Sequence, residues 1–542
     1  MYIESNTTTQ LNLTAGDNCI TCGAAWRNAS GSSKMKYFIQ NHPNTLDQNG
    51  EYYYDYNNQR IYIYYDGTLT DQDVWVINQD SVINVKNCSY VEIKNLEIWG
   101  GIKCGIQISG GDHVNIENNT VRYSGYIGIN ASVVSTITIT SNNVYDGMSA
   151  GIVASACTSP SITNDTIKRM ALDHSSLDRG SVVNGNGIEI YFRTTGVTIT
   201  GNFIDSVAYC GIHVKEMEDR SGATSLIKNN VVSHWNQAMG DGAGVYIVGD
   251  DESMSKIIRK NICYLPVTKA AFLYGGVPFT MGIYLDNVTK YYLVDSNTVY
   301  KVPKSVFINY GGDYDTIRRN TFVAFGTDGE TTTRVGSFYG ERAGGSVNNL
   351  TFKHNKIVGT DDTGEMGFVW NNPDITFTQT GCLVDTNDYY NPIRILVDND
   401  LFRMNSNWSV YQTYTLAEWR SLTTTWEAHS TYQKNSWDFG DVSGITEDQM
   451  VRVYMNGTPA AHTFELGTCA FKDLEGDDVS TSIEVQPYES RVLFYASGSL
   501  ASADAEFWLG EQTPTPPEGS KAIWLNGKKA VLVGGRSQYI VK

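Results

Sequence analysis

The most regular feature of the chain is a short phrase of alternating apolar and polar residues that recurs along its first two thirds. The shortest spacing between copies is about 23 residues, as from Gly105 to Gly128. Alternation with a period of two predicts half-buried β-strands, and a repeat of this length is typical of one β-solenoid coil. The copies are GIQIS at Gly105, GINAS at Gly128, GIVAS at Gly151, GIEIY at Gly187, GIHVK at Gly211, GVYIV at Gly244, GIYLD at Gly282 and SVFIN at Ser305.

A second apolar run follows each phrase and ends in a polar turn that carries an asparagine. Side-chain amides stacked in one column can hydrogen-bond at the strand spacing of about 4.8 Å. Asparagine also tolerates the left-handed backbone of tight turns. The pattern predicts an all-β fold, a right-handed parallel β-helix, because the alternative of a β-sandwich would not keep the column in register. The column consists of Asn119, Asn142, Asn202, Asn230, Asn261, Asn297, Asn320, Asn355 and Asn387, with Asp165 substituting once.

The segments outside the repeats predict smaller elements at both ends. Residues 1–80 are interpreted as an N-terminal cap with a β-hairpin turning at 56–59, and residues 81–395 as the β-helix. Residues 396–445 form a connecting segment with a short helix from Leu416, because Thr415 and Glu418 have the spacing of a capping box. Residues 446–510 predict a small C-terminal β-sandwich, and 511–542 a linker and a hairpin around Asn526.

Composition narrows the class of partner and the compartment. The net charge is −18, which argues against nucleic acid as the main partner. No apolar run reaches the length of about 18 residues that a membrane span needs. The start, MYIESNTTTQ, has no signal-peptide pattern. Because Asn/Thr-rich β-solenoids are mostly exported, we expect an extracellular, periplasmic or cell-surface bacterial protein whose signal peptide has been removed; the sequence predicts no oligomeric state.

Nine cysteines are present, and they predict no metal centre. Cys19 and Cys22 form one CxxC, a disulfide or half of a metal site, and no second CxxC follows to complete a zinc cluster. Five cysteines within the repeats are interpreted as small buried fillers: Cys88, Cys104, Cys157, Cys210 and Cys263. We expect no cofactor, and a calcium ion that supports the structure or bridges the substrate stays open.

The outward positions of the repeated phrase change character along the chain. Early copies carry small residues such as Ser109, Ser132 and Ser155, whereas later copies carry ionisable and aromatic ones, and the loops before Gly187 and Gly244 lengthen. Such a face predicts a sugar-binding cleft, with an ordinary solvated surface as the alternative. The later pairs are Glu189 and Tyr191, His213 and Lys215, Tyr246 and Val248, Tyr284 and Asp286, and Phe307 and Asn309.

Four segments carry a resemblance to known enzymes: DGAGVYIVG at Asp241, GIYLD at Gly282, SVFINYGGDYDTIRRN at Ser305, and the upstream GEYYYDYNNQRIYIYY. Over residues 50–395 the chain resembles the right-handed parallel β-helix glycoside hydrolases that include β-xylosidases, xylanases and an α-L-fucosidase. The resemblance implies that Asp286 matches the nucleophile of the xylosidase branch and Asp241 the aspartate of its DGGxIY segment. Asn309 stands where that branch has its acid/base glutamate, and the second catalytic role is therefore left open.

Glycoside hydrolysis by this route needs two carboxyl groups, about 5 Å apart for retention and about 6.5–9.5 Å apart for inversion. Adjacent coils offer about the first spacing and alternate coils the second. The predicted catalytic residue is Asp286, with Asp241, Asp250 or Asp251 as its partner. The predicted substrate-binding residues are Glu189, Tyr191, Arg193, His213, Lys215, Tyr246, Tyr284 and Asn309.

Two other functions fit the same residues. In a polysaccharide lyase, Lys215 or His213 would take the proton beside a uronate, and Arg193 or calcium would neutralise its carboxylate. In a non-catalytic glycan-binding or adhesin solenoid, the tyrosine rows would bind sugar without cleavage. The sequence specifies neither the sugar and its linkage, nor exo or endo action, nor the stereochemical outcome.

Overall fold

The computed structural model describes residues 2–6, 11–14, 42–49, 51–65, 72–75, 77–172, 185–215, 224–249, 256–267, 273–274, 277–278, 280–287, 289–324, 334–339, 347–359, 365–371, 381–391, 402–407, 410–423, 425–434, 447–510, 521–525, 528–532 and 537–540. The chain divides into two compact units. One comprises residues 1–26 and 80–509, and the other residues 27–79 and 510–542.

The larger unit contains the predicted right-handed parallel β-helix, in which successive coils add strands to three long sheets. The site sheet, named for the residues it carries, contains Ser81–Lys86, Cys104–Ser109, Ile127–Ser132, Ile152–Ser155, Ile188–Tyr191, Ile212–Lys215, Gly242–Val248, Thr280–Asp286, Lys304–Asn309, Arg334–Tyr339, Glu365–Asn371, Phe402–Asn407 and, antiparallel, Val410–Tyr414. The second sheet contains Val91–Lys94, Val114–Glu117, Ile137–Thr140, Ser161–Thr163, Thr198–Thr200, Ser225–Lys228, Lys256–Arg259, Tyr292–Asp295, Thr316–Arg318, Thr351–Lys353 and Leu383–Asp385. The third sheet contains Glu97–Trp99, Thr120–Arg122, Asn143–Tyr145, Thr166–Met170, Phe203–Val207, Val231–Ser233, Ile262–Tyr264, Thr298–Tyr300, Thr321–Ala324, Lys356–Gly359, Asp388–Asn391 and Thr431–Lys434.

The inward side chains of each sheet stack in register on those of the next coil. Ile106, Ile129, Ile152 and Ile188 follow one another in the site sheet, and all are fully buried. β-Branched side chains suit this pleated, fully covered surface. All but one of the repeated phrases begin with glycine, because a side chain at this position would collide with the neighbouring strand. A Cβ on Gly128, for example, would lie 2.3 Å from a methyl carbon of Val144.

The asparagine column forms a continuous buried ladder, as predicted. At Asn230, for example, the backbone N–H and the side-chain Nδ2 donate to Oδ1 of Asn261, at 3.0 and 2.9 Å, and Nδ2 also donates to the backbone oxygen of Ile199 at 3.0 Å. The left-handed residue is the one before the column, as at Asn229 with φ 57°. The expectation that the column residues are themselves left-handed was therefore wrong: their amides satisfy backbone groups of neighbouring coils instead.

The ladder and the sheets extend beyond the boundary predicted at 395. Asn387 donates to the buried carboxylate of Glu427, and Thr431–Lys434 adds a parallel strand to the third sheet. In sequence, the helix Leu416–Thr423 precedes this last strand. Its capping box is present: the Thr415 N–H donates to Glu418 at 2.9 Å, and the Glu418 N–H donates to the Thr415 hydroxyl at 3.2 Å.

Residues 447–510 contain one five-stranded sheet. The strands of this sheet, in spatial order, are Asp478–Val485, His462–Lys472, Glu489–Ser497, Val451–Asn456 and Phe507–Trp508. The predicted β-sandwich would need a second sheet and stays a prediction. One face, with Val453 and Phe494, packs against Val231 and Tyr264 of the third sheet. That face of the sheet is buried against the solenoid.

Shorter elements complete the description. These are the α-helical turn Glu447–Met450, the 3-10 turns Pro43–Thr45 and Leu500–Ser502, a three-stranded sheet of Thr289–Lys290, Gly312–Asp313 and Val347–Asn348, and the hairpins Tyr2–Asn6 with Leu11–Thr14, Tyr52–Asp55 with Arg60–Ile63, Leu273–Tyr274 with Val277–Pro278, and Lys521–Leu525 with Lys528–Leu532; Gln72–Trp75 pairs in parallel with Ser537–Ile540.

Two findings concern expectations made from composition. Among the repeat cysteines, Cys88 is exposed, contrary to prediction, and the other four are buried; Cys19 and Cys22 lie outside the described residues. In the ranges given above, no helix combines the length and apolar character that crossing a membrane requires.

Asp165 is the one break in the amide ladder, and it generates a prediction about stability. Its Oδ1 accepts from the backbone and side chain of Asn142, whereas its buried Oδ2 has no partner, and burial raises its pKa to about 7. Because the folded-state pKa lies above the unfolded value of 3.8, the contribution of Asp165 to stability is fully present below pH 3.8 and is lost as pH rises through about 7. We expect Asp165→Asn to restore the missing donor and to stabilise the protein by a few kcal/mol at pH 8, at about 1.4 kcal/mol per pKa unit, and much less at pH 5.

Denaturant unfolding of both proteins at the two pH values measures the difference. Asn142→Asp, which adds a second carboxylate to the same ladder, is the matched control and should lose stability as pH rises. Equal stabilities of wild type and Asp165→Asn at pH 8 would contradict this explanation.

Candidate functional site

The structure aligns the predicted outward side chains in two rows on the site sheet. The aromatic row follows the first outward position of each strand, and cross-strand pairing joins Glu189 to His213, His213 to Tyr246, Tyr246 to Tyr284 and Tyr284 to Phe307. The polar row follows the second position and joins Lys215 to Val248, Val248 to Asp286 and Asp286 to Asn309. The register derived from the sequence is therefore the register of the fold.

The aromatic row is buried, which differs from the open cleft that the sequence predicts. Tyr284 is 1% exposed and Glu189 fully buried, whereas His213, Tyr246 and Asp286 keep 6–7% of their surface. Tyr209, in the turn before strand Ile212–Lys215, packs edge-on against His213 and Tyr246 at ring distances of 6.1 and 6.2 Å. The rings of Tyr246 and Tyr284 stack on one another at 4.4 Å. Tyr209, which precedes its strand, thus covers part of the aromatic row, although the alternation of apolar and polar residues predicts that this row faces outward.

Asp286 has three hydrogen-bond donors around its carboxyl group. The Tyr246 hydroxyl donates to Oδ2 at 2.7 Å. The Asn309 side chain and the Asn287 backbone N–H each donate to Oδ1 at 2.9 Å. Burial raises the pKa of Asp286, and these donors oppose the rise. Donors aimed at both oxygens favour the ionised form of this carboxyl group.

The surroundings of Asp241 differ from those of Asp286, although the charge of Asp286 affects the pKa of Asp241. Burial and the charge of Asp286 raise the pKa of Asp241 well above its usual value. The Tyr284 hydroxyl and the Lys304 ammonium oppose this rise. Oδ1 of Asp241 is buried without a hydrogen-bond partner. A carboxyl group in these surroundings favours the protonated form.

Asn309 and Tyr284 connect the two carboxyl groups. Nδ2 of Asn309 donates to Asp286 at 2.9 Å and to the Tyr284 hydroxyl oxygen at 3.0 Å, and the Tyr284 hydroxyl opposes the rise in the pKa of Asp241. The two carboxyl groups are therefore near enough for the charge of Asp286 to raise the pKa of Asp241.

Glu189 and His213 form a second polar pair at the other end of the aromatic row. Oε2 of Glu189 lies 2.9 Å from Nδ1 of His213 and also accepts from Asn186. Burial raises the pKa of Glu189, and the charges of His213 and Lys215 oppose this. The His213 ring contacts the Tyr246 ring at 4.8 Å. Glu189 thus fixes the orientation of His213 next to the tyrosine that donates to Asp286.

The remaining predicted residues lie at the margin of this site or outside the description. Tyr191 is half-buried at the end of its strand, and the exposed Arg193 follows it, with its guanidinium 5.3 Å from the Phe192 ring centre. Lys215 is half-buried in the polar row. Asp250 and Asp251 fall outside the described residues. Within the residues that are described, no three His, Cys, Asp or Glu side chains come together as metal ligands would.

Sequence reasoning missed Asn186, Tyr209 and Lys304. Each contacts or electrostatically affects a predicted residue: Asn186 binds Glu189, the Tyr209 hydroxyl donates to the backbone oxygen of Asp241 at 3.0 Å, and Lys304 acts on the pKa of Asp241. All three lie just before or at the start of a repeated phrase. Aligning the residues that precede the phrases, as well as those within them, would have found this group.

Comparisons with known proteins support the fold. Residues 81–262 match a family model described as a right handed beta helix region. A solved structure titled glycoside hydrolase aligns with 40% of this chain and 38% of its own length, with 14% sequence identity and a TM-score of 0.33, and at these values the alignment says nothing about activity. No curated protein matches the chain. The class that fold and comparison define is a right-handed parallel β-helix protein.

The Asn309 bridge generates a prediction that needs no activity assay. Asn309→Asp would place a carboxylate against Asp286, and like charges at this distance raise the folded-state pKa of the pair. Stability should therefore match the wild type near pH 4 and fall by about 1–3 kcal/mol as pH rises to 8. Thermal unfolding across this pH range measures the loss. Asn309→Ala is the control, since it removes the amide without adding charge and should show a loss that varies little with pH. A pH-independent difference for Asn309→Asp would show that Asp286 is not its neighbour.

Proposed function

We propose that the chain is a glycoside hydrolase that cleaves a plant or host polysaccharide or oligosaccharide, with Asp286 and Asp241 as its two catalytic carboxyl groups. One observation carries the proposal: two neighbouring carboxyl groups have environments that push their protonation states apart. Asp286 has a donor at each oxygen, whereas Asp241 has a buried oxygen without a partner and the charge of Asp286 nearby. Such a pair supplies an acid and a base at the same pH.

In this mechanism Asp241 donates its proton to the glycosidic oxygen as the bond to the anomeric carbon breaks. The ionised Asp286 either attacks the anomeric carbon, which gives a glycosyl ester that water then hydrolyses, or removes a proton from the attacking water. In the first case Asp241 regains its proton from that water. The Tyr246 and Asn309 donors orient Asp286 and oppose the rise in its pKa that burial causes.

The other predicted residues are proposed to bind and position. Glu189 orients His213, and His213 contacts Tyr246, so this pair fixes the donor to Asp286. Lys215 and Tyr191, both half-buried, lie where a sugar chain following the polar row would contact them. The substrate implies that the protein acts on glycans outside the cell or at its surface.

Sugar stacking on the aromatic row, which a binding-only solenoid would need, is not supported by the exposure of its rings. Tyr246 and Tyr284 stack on each other and are 6% and 1% exposed. The Tyr246 hydroxyl instead donates to Asp286, and the Tyr284 hydroxyl opposes the rise in the pKa of Asp241.

Two substitutions separate the proposed roles. Asp286→Asn should lower turnover at least about a thousandfold on every substrate, because the nucleophile or base is lost. Asp241→Asn should lose as much on natural glycans and far less on aryl glycosides with acidic leaving groups, because such groups depart without protonation. Steady-state kinetics on both substrate types measures the difference.

Oligosaccharide binding and the unfolding midpoint serve as controls for folding: binding should stay near its wild-type value in both variants, and the midpoint should not fall, because each substitution removes a carboxyl group whose pKa burial raises. If Asp286→Asn keeps near-normal hydrolysis, the proposal fails. If both variants respond identically to the leaving group, Asp241 is not the acid.

A further inference from the structure

A pocket lies between the solenoid and the C-terminal sheet, away from the Asp286 site. It has a volume of about 210 Å³ and is lined by cationic side chains from the solenoid and by Tyr488 and Pro487 from the C-terminal sheet region. Its cations belong to the second sheet and the turn after it, whereas Asp286 belongs to the site sheet. Lys228, Arg259 and Lys260 are these cations.

The pocket carries an excess of positive charge in a strongly acidic chain. Strand pairing places Lys228 beside Arg259 and Arg259 beside Asp295. The buried Asp295 carboxylate is shared by three guanidinium groups, at 3.0 Å from Arg259, 3.5 Å from Arg318 and 2.7 Å from Arg319. Lys260 pairs with Glu489 at 2.8 Å. Three cations thus line the pocket, two of them paired with carboxylates outside its lining, whereas the whole chain has a net charge of −18.

The wall opposite the cations is apolar and conformationally restricted. Tyr488 is 7% exposed, belongs to the cluster that joins the two parts, and has a left-handed backbone with φ 54°. Pro459, Pro487 and the polar Asn229 complete the lining, and the proline rings restrict the backbone at their two positions. A volume equal to that of roughly seven liquid waters suits one sugar ring. Such a wall packs against a ring face while lysine and arginine bind a charged substituent.

We propose that this pocket binds the anionic substituent of an acidic sugar, either the carboxylate of a uronate or a sulfate ester, as a second glycan-binding site. The saccharide part rests on the proposed function; the anion preference rests on the pocket alone. A sparsely charged glycan fits better than nucleic acid, because the field of the whole chain repels a dense polyanion while the local cations attract one charged group. The pocket would hold an acidic branch or a neighbouring segment while a chain is cleaved at Asp286.

Titration calorimetry with monosaccharides tests the pocket separately from catalysis. The protein is Asp286→Asn, so that binding is measured whatever the fate of the first site. The probes are methyl galacturonoside, galactose 6-sulfate, neutral methyl galactoside and inorganic sulfate, each at low and high salt. We expect both acidic sugars to bind, the neutral sugar to bind at least tenfold more weakly, and affinity to fall with added salt.

Three variants identify the site. Lys228→Met should weaken acidic-sugar binding about tenfold, Lys228→Arg should keep most of it, and Lys86→Met, at an exposed lysine of the first strand of the site sheet, should leave it unchanged. Acidic-sugar binding that is insensitive to Lys228→Met, or no stronger than neutral-sugar binding, overturns the proposal. Inorganic sulfate binding as tightly as both sugars overturns its saccharide part. None of these outcomes depends on whether Asp286 is catalytic.

Discussion

The stacking of one coil on the next at constant register is the constraint on which the rest of the structure depends. Two buried features maintain it: the columns of isoleucine and valine inside the solenoid, and the amide ladder from Asn119 to Asn387. A shift of one residue in any strand would turn its apolar side chains outward and break a ladder bond. Because the register holds, Tyr246 lies beside Tyr284 and Asp286 beside Asn309. The geometry of the site is therefore a consequence of the geometry of the core.

The two carboxyl groups of the site differ in their hydrogen-bond donors and in the charges near them. Desolvation raises the pKa of both Asp286 and Asp241. The difference comes from the donors: the hydroxyl and amide groups around Asp286 stabilise its charge, and that charge in turn favours the neutral form of Asp241. Asn309 contributes to this by binding Asp286 and Tyr284 together.

The sequence predicts those features that repeat and fails where single contacts decide. The asparagine column, the strand phrases and the capping box at Thr415 have a fixed spacing, so periodicity finds them. The same periodicity aligned the outward residues correctly from Glu189 to Asn309. It could not show that Tyr209 covers the aromatic row, because that contact joins a turn to the next coils. Nor could it show how Asp241, at a left-handed turn before its strand, comes near Asp286.

Product analysis tests the central claim of a two-carboxylate hydrolase most directly. The purified protein would be incubated with a panel of neutral and acidic plant and host glycans, and each reaction followed both for new reducing ends and for the ultraviolet absorbance of unsaturated uronates. Hydrolysis at Asp286 and Asp241 predicts reducing ends without that absorbance on at least one glycan. Unsaturated products would show a lyase using Lys215 or His213, and binding without any cleavage across the panel would show a glycan-binding solenoid; either result would contradict the account.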